Sequence, residues 1–262
     1  MGNDVHRPSQ PILVLGKARR VIDAVACTRG GATSREVQHA TRLPVSTTTR
    51  LLQNLVAEGF LDLVDGKYHV GLGVLRWAHT RRAGSQLAEL AQPHLGELRD
   101  ETGETSVLFV RQGNTRVLIG LAETRHEVVR LVSVGQVMPL HAGSAGKVFL
   151  AFDEQARRQA LGGQLAAYTS ATITDPELLR AELATVSASG RAVSIAERDT
   201  GTASISAPVR SHAGALTAVI GIGVPEQRFT DANRAAWIPR VVAAARRLSE
   251  NLGYPHEEEV DG

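Results

Sequence analysis

The chain has 262 residues, of which 43% are hydrophobic and 21% charged, a composition that suits one large or two modest globular domains. Its one cysteine, Cys27, excludes a disulfide framework and a cysteine-rich metal site. No stretch approaches the length of a membrane span, and the N-terminus lacks the apolar core of a signal peptide. We therefore expect a cytoplasmic protein with no membrane partner.

The net charge of +2 is unevenly distributed along the chain. Residues 1–82 contain 12 of the 29 Lys and Arg residues but 6 of the 27 Asp and Glu residues, which leaves this segment at +6 and the remainder at −4. A concentration of positive charge is the electrostatic footprint that binding to phosphate requires. The first third of the chain is therefore the expected nucleic-acid-binding part.

Residues 1–11 are polar and interrupted by proline, which predicts a disordered arm. The segment from Leu15 to Ala26 carries apolar residues at helical spacing and predicts a first helix. Thr33-Ser34-Arg35-Glu36 fits a capping box at the start of a second helix, which Pro44 is expected to stop.

A third helix is predicted to begin near Val45 and to stop at Gly59. It buries a leucine stripe and leaves short hydroxyls and Arg50 on the other face, which suits contacts with phosphates and base edges. The candidate DNA-binding residues of the whole region are Arg19, Thr33, Ser34, Val45, Ser46, Thr47, Thr49, Arg50, Gln53 and Lys67.

A β-hairpin follows, because Asp65-Gly66 can adopt the two positive φ angles of a type I′ turn. This turn sets Leu63 opposite Tyr68, so that the hydrophobic pattern and the register agree. Two short helices and a hairpin in this order predict a winged helix-turn-helix over residues 12–72. Short helical pairs are common, so a stand-alone sensor whose winged helix mediates protein contacts remains open as an alternative.

Residues 73–85 are predicted as a linker helix that ends at a soft boundary, Ala83-Gly84-Ser85. Residues 86–252 interleave strands and helices, which indicates an α+β sensor-like domain. The predicted strands are 105–111, 116–122, 128–132, 192–196, 204–209 and 217–224, and the predicted helices are 86–102, 145–152, 153–161, 176–189 and 231–252. Residues 253–262 form an acidic tail.

Seven motifs spread from residue 14 to residue 252 together resemble the isocitrate lyase regulator (IclR) family of bacterial transcription factors. They are VLGKARRVIDAV, LPVSTTTRLLQNLVAEGFL, DGKYHVG, LAQPHLGELRDETGET, PLHAGSAGKVFLA, TITDPELLRAEL and SISAPV. The resemblance implies an N-terminal winged helix, a linker helix and a C-terminal effector domain with a GAF-like α/β fold. It also implies homodimers, commonly paired into tetramers, on palindromic operators of double-stranded DNA.

The resemblance further implies a small organic acid as effector, held by backbone amides at a helix N-terminus. Ser144 and Ala145 of HAGSAGK match the two amide positions, and a helix start offers unpaired N–H groups and a positive dipole end. The implied pocket walls are Leu131, Val134 and Met138.

This chain departs from the family at the polar pocket positions. The resemblance implies Asp where Ser194 stands, Cys where Ser204 stands, and serines in place of Gly221 and Gly223. Lost volume and lost polarity together predict a larger and less polar effector, such as an aromatic acid. Two alternatives stay open: the glycines only relieve strand packing and Ser204 points into the core, or the pocket takes no small molecule.

Enzymatic interpretations of HAGSAGK are weaker. A phosphate-binding loop would need a glycine at His141 and a hydroxyl at Val148. A nucleophile elbow at Ser144 would have Ala142 in place of its first glycine and no glycine-rich oxyanion loop before it, although His212 and His256 lie downstream. The histidines lack metal-ligand spacing, so we predict no metal site. Since the enzymatic motifs are incomplete, we also predict no catalytic residue and no cofactor.

Overall fold

A computed structural model of the chain describes residues 13–28, 30–74, 82–126 and 132–255, apart from the side chains of residues 82–85. The chain divides into two compact units, Met1–Arg82 and Ala83–Gly262. The predicted arm and most of the predicted acidic tail lie outside the described residues. No helix in the described ranges is long and apolar enough to cross a membrane.

The first unit is a three-helix core with a two-stranded wing. Its elements are α1 (Leu13–Ala26), α2 (Ser34–Thr41), α3 (Val45–Ala57), β1 (Leu61–Val64) and β2 (Lys67–Val70). Apolar residues from all three helices and from β1 form one buried cluster, in which Val21, Leu52 and Leu61 are fully enclosed. An isolated bridge between Ala32 and Tyr68 adds a third short segment to the wing.

Local chemistry sets the ends of these elements. Thr33 caps α2 through a capping box with Glu36, as predicted. Asp65 and Gly66 have φ angles of 50° and 75°, and the register pairs Leu63 with Tyr68, so the predicted turn and register are both confirmed. The predicted sharing of apolar residues on one face is only partly reflected in burial, because Leu63 is 53% exposed.

One predicted helix end was wrong. Helix α2 stops at Thr41, three residues before Pro44, because Arg42 adopts a left-handed conformation with a φ of 54°. The backbone amide of Arg42 donates a hydrogen bond to the Gln38 carbonyl oxygen. Pro44 instead occupies the N-cap of α3. A proline fits there, since the first amides of a helix have no partner within the helix.

The second unit contains a six-stranded antiparallel sheet between two layers of helices. Its helices are α4 (Arg82–Thr102), α5 (Ser144–Phe152), α6 (Glu154–Leu161), α7 (Pro176–Ser189) and α8 (Asp231–Asn251), with a 3₁₀ turn at Glu226–Arg228. Its strands are β3 (Thr105–Gln112), β4 (Thr115–Ala122), β5 (Val137–Pro139), β6 (Ala192–Ile195), β7 (Thr202–Arg210) and β8 (Leu216–Pro225). The spatial order is β5-β4-β3-β8-β7-β6.

The two faces of the sheet pack against different helices, because alternate strand residues point to opposite sides. In β8, Ile220 and Ile222 join the cluster with α4 and α8, whereas Val219 joins the cluster with α5, α6 and α7. Gly221 and Gly223 share the side of Val219. The open space between the sheet and α5 lies beside Gly223, where a side chain is missing.

The α+β prediction is confirmed, with two differences in the elements. Helix α4 begins at Arg82 and includes Ala83–Ser85, so these residues are helical, while the division between the two units falls between Arg82 and Ala83. The predicted linker helix over 73–85 and the predicted strand over 128–132 fall largely on residues outside the described ranges. Strand β5 was not predicted, since three residues are too few for a readable alternation.

Candidate functional site

The exposed face of α3 carries most of the candidate DNA-binding residues. Ser46, Thr49, Arg50 and Gln53 are exposed at spacings of three and four residues, opposite the buried leucines of the same helix. Val45 is 60% exposed at the helix start. The arrangement places a polar stripe along one side of α3, as a helix that lies in a DNA groove requires.

Two candidate arginines lie at a groove between α1 and α3. Arg19 and Arg50 line this groove together with Thr47, and both arginines are exposed. Lys67 is exposed on the wing, at the start of β2. The predicted residues of α1, α3 and the wing are thus all accessible on the first unit.

Thr33 and Ser34 are less available than the sequence predicted. The hydroxyl of Thr33 donates to Glu36 Oε2 at 2.8 Å and accepts from the Glu36 amide at 3.3 Å. Both residues are half-buried at the start of α2. The Thr33 side chain is thus engaged in capping its own helix.

The second unit contains a small cavity between the sheet and the first turn of α5, here called the α5 cavity. Its volume is about 40 Å³, against roughly 10–15 Å³ for one water molecule. In this shape it holds a few water-sized groups. It is lined by Thr105, Val107, Phe109, Arg116, Val132, Met138, Ser144, Ala145, Ser204, Ser206, Ile222 and Gly223.

Three serine hydroxyls meet at one side of the cavity and are here called the serine cluster. Ser144 Oγ lies 2.7 Å from Ser204 Oγ and 2.8 Å from Ser206 Oγ. The Ser144 amide also donates weakly to Ser204 Oγ, at 3.4 Å. The cluster joins the N-terminus of α5 to β7 and supplies hydroxyls that can donate or accept.

Three of the four predicted polar positions lie in one row across the sheet, and Thr105, which was not predicted, adds a fourth strand to it. Ser194 pairs with Ser204, Ser204 with Gly223, and Gly223 with Thr105. Side chains in such a row point to the same side of an antiparallel sheet. The next row, Ser206 and Gly221, also faces α5 and contributes Ser206 to the lining.

The structure brings together five of the nine predicted effector residues at the α5 cavity: Met138, Ser144, Ala145, Ser204 and Gly223. Ser194 is buried in the same row but is not in the lining, because it lies one strand further out. Val134 is 61% exposed and lies outside the cavity. Leu131 lies outside the described residues.

The two glycines of β8 differ in their surroundings. A Cβ at Gly221 would overlap the Ile205 carbonyl oxygen and the Ser206 hydroxyl, whereas a Cβ at Gly223 would meet nothing within 4 Å. Close strand packing therefore explains Gly221, which is the plain alternative raised from the sequence. Gly223 instead leaves open space beside the cavity.

Arg116, at the start of β4, is a cavity residue that the sequence reasoning missed. It is 3% exposed. Its Nη1 donates to the Pro139 carbonyl, its Nη2 donates to the Ala142 carbonyl at 3.0 Å, and its guanidinium lies 5.3 Å from the centre of the Phe109 ring. The available signal was its strand phase, because Arg116 points to the same side as the buried Leu118.

Burial lowers the pKa of Arg116 to about 9, and the nearby charge of Arg198 acts in the same direction. The carboxylates of Glu197 and Asp199 oppose this shift. Burial also lowers the pKa of Arg198, against the effect of its ion pair with Asp199. Arg116 therefore remains a cation at neutral pH in a poorly hydrated place.

The glycines of HAGSAGK make room for this arginine. Gly143 has a φ of 94°, and a Cβ there would lie 2.9 Å from Arg116 Nη2. A Cβ at Gly146 would overlap the Leu140 carbonyl and lie 2.5 Å from Arg116 Nη1. The first turn of α5 consequently packs directly against the guanidinium.

The lysine of the same motif is buried and paired within the fold. Lys147 Nζ lies 2.7 Å from Glu182 Oε1, from Glu197 Oε1 and from the Val193 carbonyl oxygen. The second oxygen of Glu197 accepts from the Gly143 amide at 3.0 Å. Lys147 thus anchors α5 to α7 and to the end of β6.

The comparisons with known proteins agree with this architecture. The bacterial transcriptional regulator IclR C-terminal model matches residues 82–250, and the IclR helix-turn-helix domain model matches residues 14–64. The chain is 32% identical over 242 residues to the HTH-type transcriptional regulator BhcR of Paracoccus denitrificans, covering 91% of this chain and 86% of that protein. It is 32% identical over 215 residues to the HTH-type transcriptional repressor AllR of Escherichia coli K12, covering 80% and 79%.

Solved structures of IclR-family proteins also match this chain. The Thermotoga maritima IclR matches with a TM-score of 0.71 and 25% identity, covering 93% of this chain and 100% of that chain. An IclR homologue from Microbacterium hydrocarbonoxydans, complexed with 4-hydroxybenzoate, matches with a TM-score of 0.73 and 25% identity, covering 91% and 98%. These matches confirm the resemblance inferred from the motifs, and the chain belongs to the IclR family of DNA-binding bacterial transcriptional regulators.

Proposed function

We propose that this transcriptional regulator is a cytoplasmic repressor that binds a palindromic operator as a homodimer or a dimer of dimers. A small organic acid in the α5 cavity modulates its operator binding. The observation that carries the effector half of the proposal is the cavity itself, where a helix N-terminus, three serine hydroxyls and a buried arginine line one small space. Such convergent polar groups in an otherwise apolar cavity are typical of ligand sites.

For the DNA half, we propose that α3 lies in the major groove and contacts base edges and phosphates. The exposed stripe of Ser46, Thr49, Arg50 and Gln53 would supply these contacts, with Val45 and Thr47 at the same helix start. Arg19 and Lys67 would neutralise flanking phosphates, since charged contacts of this kind position a protein on the duplex. Thr33 and Ser34 would contribute at most through their backbone amides.

For the effector, we propose a compact organic acid, with aromatic acids as a second class that requires the cavity to widen. The relative from Microbacterium hydrocarbonoxydans was solved with 4-hydroxybenzoate, which supports testing a ring acid here. The present cavity has only about 40 Å³. A ring would therefore displace lining side chains, of which Met138 is unbranched and the easiest to rearrange.

The proposal is tested by selecting operator sequences from a random DNA pool and then titrating acids against the complex. We expect an enriched palindrome, bound with strong salt dependence. Pyruvate, benzoate and 4-hydroxybenzoate are then added at increasing concentrations, and at least one should change the operator affinity tenfold or more. Enrichment of no sequence would reject operator binding, and an enriched operator that no acid affects would reject the effector.

We propose a binding role for Ser144, in preference to hydrolysis. Its hydroxyl contacts two other serine hydroxyls, and His141 Nε2 is bonded to the Ala166 carbonyl oxygen at 2.9 Å. His212 lies at the end of β7, where its amide donates to the Leu252 carbonyl, and His256 lies outside the described residues. A p-nitrophenyl ester assay checks this: turnover that Ser144→Ala abolishes would favour a hydrolase.

A further inference from the structure

Arg116 is the one charged side chain among the described residues that line the α5 cavity. The remaining lining residues are apolar or carry a hydroxyl, apart from Gly223. A cation that is 3% exposed and faces such a space is costly to bury without a compensating anion. The cavity is therefore electrostatically suited to an anion and unsuited to a cation.

The Arg116 guanidinium has an N–H donor without a hydrogen-bond partner among the described residues. Its two terminal nitrogens each donate to a backbone carbonyl, at Pro139 and Ala142, which are neutral partners. Its Nε is buried and has no hydrogen-bond partner among the described residues. An arginine that holds its position through neutral carbonyls can still use its remaining N–H groups for a carboxylate.

The two nearby carboxylates of this chain, Glu197 and Asp199, are already engaged, and Asp199 pairs with Arg198. Glu197 Oε1 pairs with Lys147 at 2.7 Å, and its Oε2 accepts from the Gly143 amide at 3.0 Å. Glu197 therefore acts on Arg116 through space and leaves the cavity without an internal anion of its own. It also engages the Gly143 amide just before α5, at the helix end where an incoming anion would otherwise bind.

The serine cluster supplies the second half of a recognition site. Ser144, Ser204 and Ser206 bring three hydroxyls to the same cavity that Arg116 lines. Hydroxyl groups can donate to a carbonyl oxygen or accept from another hydroxyl. One ligand with an acidic end and a second oxygen would satisfy both sets of groups.

We propose that Arg116 is the residue that recognises the effector's carboxylate, while a second oxygen of the effector binds the serine cluster. This inference rests on the proposed function, because it assumes that the α5 cavity is the effector site. The sequence predicted that backbone amides at the start of α5 bind the effector's carboxylate. In this proposal the side chain of Arg116 on β4 binds it instead.

The test compares acids with their neutral amides on the full-length protein. Binding of pyruvate, benzoate and 4-hydroxybenzoate, and of pyruvamide, benzamide and 4-hydroxybenzamide, is measured by calorimetry for the wild type, Arg116→Gln and the control Arg111→Gln. Arg111 is the cross-strand partner of Arg116, is paired with Asp153 and does not line the cavity. We expect an acid to bind the wild type tightly, with about a 10- to 100-fold loss in Arg116→Gln, because charge-assisted hydrogen bonds contribute on this scale.

The ratio of acid affinity to amide affinity separates recognition from a structural role. It should fall towards one in Arg116→Gln and stay unchanged in Arg111→Gln. If folded Arg116→Gln keeps the wild-type ratio, or if the wild type does not distinguish acids from amides, the inference is overturned while the effector cavity stands. If no compound binds and none affects operator binding, the proposed effector function itself fails.

A second variant covers the case in which Arg116→Gln does not fold. Arg116→Lys keeps a cation in the cavity but loses the planar pair of donors that matches a carboxylate. Its ratio of acid affinity to amide affinity should fall below the wild-type ratio and stay above one. A folded Arg116→Lys that keeps the wild-type ratio overturns the inference.

Discussion

Lys147 and Glu197 form a buried ion pair of 2.7 Å between α5 and the segment after β6, with both side chains less than a tenth exposed. Glu182 of α7 shares the same ammonium, also at 2.7 Å. Three parts of the second unit that are far apart in sequence therefore depend on one cation. The lysine that suggests a phosphate-binding loop in HAGSAGK is instead a structural anchor.

We predict that Lys147→Met destabilises the protein by about 3–5 kcal/mol, because two carboxylates lose their buried partner. The free energy of unfolding is measured in urea by tryptophan fluorescence. The control is Arg180→Met, which removes an exposed ion pair with Glu177 and should cost roughly 1 kcal/mol or less. A Lys147→Met protein as stable as the control would contradict the anchor role.

We predict that Arg50→Ala weakens operator binding by about 1–3 kcal/mol if Arg50 contacts a base, with reduced discrimination at one position of the half-site. Fluorescence anisotropy on the selected operator, at fixed salt, measures the loss. Arg234→Ala, in the other unit, serves as the control and should bind as the wild type does. Unchanged affinity in Arg50→Ala would remove this residue from the proposed interface.

Substitution of the two β8 glycines should have opposite consequences. Gly221→Ala forces a Cβ onto the Ile205 carbonyl and should cost about 1–3 kcal/mol of stability. Gly223→Ala enters open space and should leave the melting temperature almost unchanged, while reducing acid binding by filling the cavity. Thermal unfolding and calorimetry distinguish the two; equal melting temperatures for both variants would count against the steric argument.

We predict that the protein loses stability in mild acid because His94 is buried. Burial lowers the pKa of its imidazole, Arg247 adds to this effect and Glu97 opposes it, while the ring Nε2 lies 2.8 Å from Asn251 Nδ2. The unfolded chain therefore takes up this proton at a higher pH than the folded chain does. The free energy of unfolding should accordingly decrease as the pH falls through about 6.5, the ordinary histidine value.

The matched variant for this prediction is His94→Gln, which keeps an acceptor for Asn251 but cannot titrate. Urea unfolding at pH 7.5 and pH 5.5 gives the pH-dependent difference for each protein. We expect a smaller difference in the variant than in the wild type. Equal differences would mean that another group controls the acid sensitivity.

Local chemistry explains what was predictable from the sequence. The Thr33 capping box and the Asp65-Gly66 turn depend on neighbours within a few residues, so their residue types suffice. The end of α2 was not predictable in this way, because Arg42 adopts a left-handed conformation that usually indicates glycine or asparagine.

The α5 cavity was predictable only in part, for a related reason. Ser144, Ser204 and Gly223 were identified through motifs, and Ser206 could have been added by the two-residue period of a strand. Arg116 comes from a different part of the chain and meets α5 only through the fold. A charged residue in a strand is ordinarily read as solvent-facing, and nothing local indicates that two carbonyls and a phenyl ring will enclose it.

The row of Ser194, Ser204, Gly223 and Thr105 has a consequence for how such regulators diverge. Its members sit on four adjacent strands, about 4.8 Å apart between strands. Backbone hydrogen bonds hold the ladder whatever side chains it carries, so each position can mutate alone without disturbing its neighbours' pairing. If the α5 cavity is the effector site proposed above, single substitutions along this line would change which signal the protein answers while leaving the sheet intact.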